Sequence, residues 1–306
     1  MDDAGHREQA RQLLRRVAFE RANGRRAMLL PISRSRRRLL GALGCAAAAS
    51  AWPEMASAIA ATPSSPAVDA GPLLVTPGRL GPQLIAAGAI EPARFAQACA
   101  SAGAPLDAAR LRILAAGNDA AIAFDASSAH FLLNFFWAVG LANANPILTR
   151  GPMAQNGLSR IAGYASTGGW SLAARPVMDI YAATPLIALS AEQQQRLEEV
   201  TANVFRPCCD NPTSFPDCNH GMAMLGLLTH IAAEDRDVDA LYVAAKAANA
   251  FWFPQQSGQL ARYIDATRRI DYARLDPRQA SSRALFSGSG FRNVSSWLVE
   301  HGLGGA

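Results

Sequence analysis

Apolar residues recur at helical spacing over most of this chain, and alternating strand-like runs are scarce. The strongest segment, Ala129 to Ala142, is apolar nearly all round, which predicts a helix at the centre of a domain, capped by Ser127 or Ser128. Gly140, Asn143 and Pro146 are expected to mark its end. Further helices are predicted over Glu91 to Cys99, Leu106 to Ala116, Gly221 to Ala232, Val238 to Phe253, Gln259 to Arg269 and Val294 to His301. Local chemistry supports several of these starts. Ser190 with Gln193 three residues on makes a capping box for a helix running to about Phe205, and Asp237 caps the segment from Val238. Ala121 to Phe124 is a strand candidate without an obvious partner. Gly151 to Trp170 reads as a long surface loop with one helical turn, and the stretch around Ser287 to Gly290 as a loop before the last helix. The class predicted is all-α, a single compact multi-helix domain over residues 83–306.

Composition changes the picture at the N-terminus. The 306 residues carry a formal charge of +5, but residues 1–61 hold eleven arginines against five acids. Removing them from the 29 basic and 24 acidic residues leaves 18 against 19, so the body is near neutral and has no electrostatic footprint for nucleic acid. Ser35-Arg36-Arg37-Arg38-Leu39-Leu40, followed by an Ala-rich apolar run to Trp52, resembles the twin-arginine export signal. That resemblance implies the twin-arginine export machinery as a partner and a periplasmic destination. Cleavage is expected near Ala58 to Ala60. The run falls short of the roughly 20 residues a membrane span needs, so the mature form is not expected to span a membrane. Either Met1 or Met28 serves as a start. Residues 62–82, rich in Pro, Ser, Gly and Ala, read as a linker.

The candidate chemistry is concentrated in Arg206-Pro-Cys-Cys-Asp-Asn-Pro-Thr-Ser-Phe-Pro-Asp-Cys-Asn-His-Gly221. Cys208, Cys209, Cys218 and His220 form a Cys3His set within thirteen residues, the donor set of closed tetrahedral metal sites. Pro207, Pro212 and Pro216 stiffen the chain between them. Asp217 or Asn219 is expected to cap the helix that follows and to support the ligands. Cys209-x8-Cys218, with Pro216 before it and His220 after it, is similar to the loop of CDGSH-type iron–sulfur proteins, although Asn219 stands where that family has Asp. The resemblance implies a [2Fe–2S] cluster on three Cys and one His. Zinc is the first expectation from the donor set, then [2Fe–2S], then copper, for which Met222 and Met224 would add soft ligands unless they pack in the core.

The competing reading is a disulfide framework. Adjacent Cys208 and Cys209 have Cα atoms about 3.8 Å apart, too close for an unstrained bond between them. Either one can bond Cys218, leaving the other for Cys99. The chain would then be a disulfide-stabilised helical binding or interaction domain without metal. Its binding candidates are the Gly151 to Trp170 loop and Phe251, Trp252 and Phe253. His130 is expected to be a satisfied core histidine, and His230 lies too far along its helix to join His220. Lys246, the single lysine, is expected at the surface. No dinucleotide, phosphate-loop, serine-hydrolase, zinc-protease or haem-attachment motif is present, so no reaction follows from sequence. The function expected is an exported metal- or iron–sulfur-binding protein with a redox, metal-handling or structural role.

Overall fold

A computed structural model describes residues 68–304, so the segment read as an export signal, its expected cleavage site and residues 62–67 of the expected linker lie outside the described residues. Two short strands, β1 (Leu74–Val75) and β2 (Ile122–Ala123), pair antiparallel. The remaining elements are helices: α1 (Leu80–Ala86), α2 (Pro92–Ser101), α3 (Ala108–Ala116), α4 (Ala129–Ala142), α5 (Pro146–Arg150), α6 (Leu158–Ile161), α7 (Val177–Ile180) and α8 (Ala191–Asn203), then α9 (Asn219–Ala233), α10 (Val238–Trp252), α11 (Pro254–Arg268), α12 (Pro277–Ala280), α13 (Arg283–Phe286) and α14 (Gly288–Glu300). The fold is all-α, as the periodicity predicts.

The local start signals act as expected. Ser190 and Gln193 form the reciprocal capping box of α8, and the Asp237 carboxylate accepts from the Ala240 N–H at the start of α10. At α4 the arrangement differs. Ser128 makes no cap bond to the helix; its hydroxyl donates to the Ala123 carbonyl, and Asp125 accepts from the Ser127 and Ser128 N–H groups. The serine is thereby spent on joining β2 to the helix.

Helix α4 is buried along almost its whole length, and its most extensive partner is α9. Two glycines allow the approach. A Cβ on Gly140 would overlap the Met222 carbonyl oxygen, and one on Gly226 would overlap the Phe136 carbonyl oxygen. Gly140 therefore sits inside the helix at a backbone contact and does not end it. Met222 and Met224 are fully buried on α9, which makes them core side chains.

Three other expectations are corrected. The segment read as a linker contains β1, the missing partner of β2. The Ser287 to Gly290 stretch is the first turn of α14, because the Ser287 hydroxyl accepts from the Gly290 N–H and Gly290 packs against the Arg283 and Ala284 carbonyls. Lys246 is buried, with its ammonium donating to the carbonyls of Tyr272, Ala273 and Leu275 at 2.7, 3.1 and 2.9 Å. Those three acceptors belong to a 3-10 turn (Tyr272–Arg274) and the residue after it, so the lysine closes that turn from inside.

Candidate metal centre

The cysteine loop joins α8 to α9, and backbone hydrogen bonds tie it to its surroundings. The Phe205 N–H donates to Ser281 O, Thr213 N–H to Val204 O and Ser214 N–H to Thr201 O. Gly288 N–H donates to Cys209 O at 2.7 Å, and Ser289 N–H donates to the Asp210 carboxylate at 2.6 Å. The loop therefore rests on the N-terminus of α14, where an acid is favourable. Hydrogen bonding by Ser289 holds the Asp210 carboxyl down at about 2. Nearer the start of α9, Ser166 N–H donates to Asp217 O, and Trp137 Nε1 donates to Ser166 O.

At the centre of the loop lies Arg206, among the largest fully buried side chains. Its guanidinium is spent on the loop itself. Nη1 donates to Asn211 O at 2.9 Å, Nη2 to Asp217 Oδ1 at 3.0 Å, and Nε to Cys218 Sγ at 3.0 Å. Asn211 Nδ2 in turn holds the other Asp217 oxygen at 2.8 Å. Burial favours loss of the arginine's charge, but the surrounding sulfurs, Cys218 first, outweigh it and raise the pKa above the ordinary guanidinium value. A buried cation is kept because anionic partners surround it.

The three sulfurs of Cys208, Cys209 and Cys218 converge, all lying within 4.8 Å of one another. Cys208 Sγ and Cys218 Sγ are 3.5 Å apart. Cys218 is itself the N-cap of α9, its sulfur accepting from the Gly221 N–H at 3.3 Å. The expected caps take other roles: Asp217 binds Arg206, and Asn219 Oδ1 accepts from the neighbouring His220 N–H. Hydrogen bonding by the Cys208 and Cys209 thiols, with the charge of Arg206 adding to it, pushes Cys218 well below the ordinary thiol value despite burial. Cys208 is pushed up, first by its hydrogen bonds to the other two sulfurs, while Cys209 is pushed up to about 11 as the Cys218 sulfur and burial outweigh the lowering effect of Cys208. The shifts thus favour deprotonation at Cys218 over Cys208 and Cys209, with Cys208 the exposed member.

His220 stands beside this group. Its ring packs on Phe253 with centroids 4.4 Å apart, and neither ring nitrogen joins the three sulfurs within 4.8 Å. Nδ1 is buried with no hydrogen-bond partner. Burial, reinforced by Arg206 and opposed by Cys218, pushes the imidazole down to about 4, so it is neutral and able to donate a lone pair. His230 packs against Phe136, and His130 lies beside Asn134; neither is in the sulfur group. Cys99 is buried in α2, where burial pushes its thiol up to about 12, and all four described cysteines are free.

Arg206 and Gly221 are the residues sequence reasoning missed. An arginine directly after apolar Val204 and Phe205, and directly before Pro207 and the cysteine pair, was the available signal. In comparisons with known proteins, no family model, curated protein or solved structure matches this chain.

Proposed function

We propose that this chain binds a single thiophilic metal ion through Cys208, Cys209 and Cys218, with zinc the first candidate. The observation that carries the reading is the convergence of three sulfurs within 4.8 Å. Zn–S bonds of about 2.3 Å at tetrahedral angles put sulfurs about 3.8 Å apart. The 3.5 Å between Cys208 and Cys218 is close to that spacing before any ion draws the group together. A two-iron cluster distributes its ligands over two metals, so donors gathered at one point favour a mononuclear ion. Copper loses its methionine ligands to the core, but a three-thiolate copper site remains the second candidate. His220 offers a neutral, unpartnered nitrogen as the fourth donor, which the ion would have to draw in because it lies outside the 4.8 Å sulfur group. Asp217 and Asn211 hold Arg206, which offsets the negative charge that three thiolates bring.

The export reading belongs to the same proposal. A protein carried folded through the twin-arginine machinery would take its ion in the reducing cytoplasm and work in the periplasm, in a redox, metal-handling or structural role. Metal analysis of the purified chain tests the site, with one equivalent of ion expected per chain. Cys218→Ser is expected to lose it, and an unchanged metal content in that variant overturns the proposal.

A further inference from the structure

We infer that the loop is also a thiol–disulfide exchange site, in which Cys208 and Cys218 form a reversible disulfide and Cys208 is the sulfur presented to an external thiol or disulfide. The inference goes beyond metal binding and needs no ion.

Geometry separates the three cysteines into distinct roles. Cys208 is exposed and its sulfur is 3.5 Å from that of Cys218, so a bond between them requires a short approach. Cys209 faces inward, its sulfur 3.8 Å from Asp217 Oδ1 and 3.9 Å from Asn211 O. Its backbone carbonyl is also held by the Gly288 N–H, which keeps the residue facing inward. Cys218 receives two N–H donors, from Arg206 Nε and from Gly221 at the start of a fifteen-residue helix. Arg206 is also anchored to Asn211 and Asp217, so the aim of its N–H does not depend on that sulfur alone.

With a small disulfide such as oxidised glutathione, Cys208 passes its proton to the Cys218 sulfur 3.5 Å away and attacks one glutathione sulfur, and one glutathione thiolate leaves and takes up that proton. The Cys218 thiolate then attacks the Cys208 sulfur and the second glutathione leaves. Two protein thiols are oxidised to one disulfide, one glutathione disulfide is reduced to two thiols, and the two protons end on them. In reverse, an incoming thiolate attacks the exposed Cys208 sulfur and Cys218 departs into its two hydrogen bonds. Because those bonds favour the reduced form, the disulfide is an oxidant towards dithiol substrates.

The experiment equilibrates the full chain with reduced and oxidised glutathione in the presence of a chelator, quenches with an alkylating agent and maps the peptides. The expected product has lost two hydrogens, carries a Cys208–Cys218 bond, and is alkylated at Cys209 and Cys99. A stable glutathione adduct on Cys208, or a bond mapped to Cys209, overturns the inference. Cys209→Ser is expected to give the same bond, and losing the bond in that variant also overturns it. Arg206→Gln is expected to make the disulfide about tenfold or more harder to reduce. An unchanged equilibrium in folded Arg206→Gln removes the arginine from the account, and if that variant fails to fold the mapping of the wild type and Cys209→Ser decides. Failure here leaves the metal proposal standing, since the chelator excludes the ion from this test.

Discussion

The guanidinium of Arg206 occupies the space that a side chain on Gly221 would fill. A Cβ at Gly221 would overlap Nη2, with Nε 2.8 Å away. The first turn of α9 and the buried arginine therefore fit together only because residue 221 is glycine, and the same arginine holds Cys218 through Nε.

Gly221→Ala is expected to displace Arg206 and to cost about 1–3 kcal/mol, the usual range for overpacking a close contact. Denaturant melts measure the loss. Faster alkylation of Cys218 in the folded variant is the accompanying sign, because the arginine no longer shields its sulfur.

The α4–α9 contact makes a second prediction. Gly140→Ala and Gly226→Ala each force a methyl onto a carbonyl of the facing helix, and each is expected to destabilise by about 1–3 kcal/mol. The double variant is expected to lose less than the sum, since one separation of the two backbones relieves both overlaps. A double-mutant cycle from urea melts checks this.

Lys246→Met keeps an unbranched apolar stem but removes the ammonium, leaving the Tyr272, Ala273 and Leu275 carbonyls without their donor. A loss of about 1–3 kcal/mol is expected from unsatisfied buried acceptors. The side chain also gives a chemical readout. As the single lysine it is expected to resist amine-reactive labelling in the native protein and to react on unfolding.

Acid is expected to weaken the fold through His220, His130 and His230. Burial lowers all three below the ordinary value of 6.5, His220 to about 4, with Cys218 opposing the shift at His220 and Glu234 opposing it at His230. The Asn134 amide donates to His130 O and sits 3.2 Å from His130 Nε2, an arrangement that suits a neutral acceptor nitrogen. The unfolded chain therefore takes up these protons first, so stability is level above about pH 6.5 and falls as pH drops below it. Urea melts between pH 7.5 and 5 are expected to show a loss of about 2 kcal/mol, most of it from His220, and a smaller loss in His230→Asn.

These residues also mark how far the site could be read from sequence. The cysteine-rich loop, its prolines and the helix after it are visible as composition and spacing, and the sulfurs of Cys208, Cys209 and Cys218 do converge. The cap at Cys218 was not visible, because Asp217 and Asn219 are the better cap formers by local chemistry. Asp217 is drawn away by Arg206, a partner eleven residues earlier, and the Cys218 sulfur takes the vacant position.

The sequence by itself determined the helical class, the α8 and α10 starts and the segment that carries the sulfurs. Those depend on apolar periodicity and on side chains reaching backbone groups two or three residues away. The tertiary structure alone decided that β1 pairs with β2, that Lys246 is buried, that Gly140 and Gly226 bring two helices into contact, and that Arg206 donates to the Cys218 sulfur. Each of these depends on groups separated along the chain and on which of several possible partners the packed core leaves within reach.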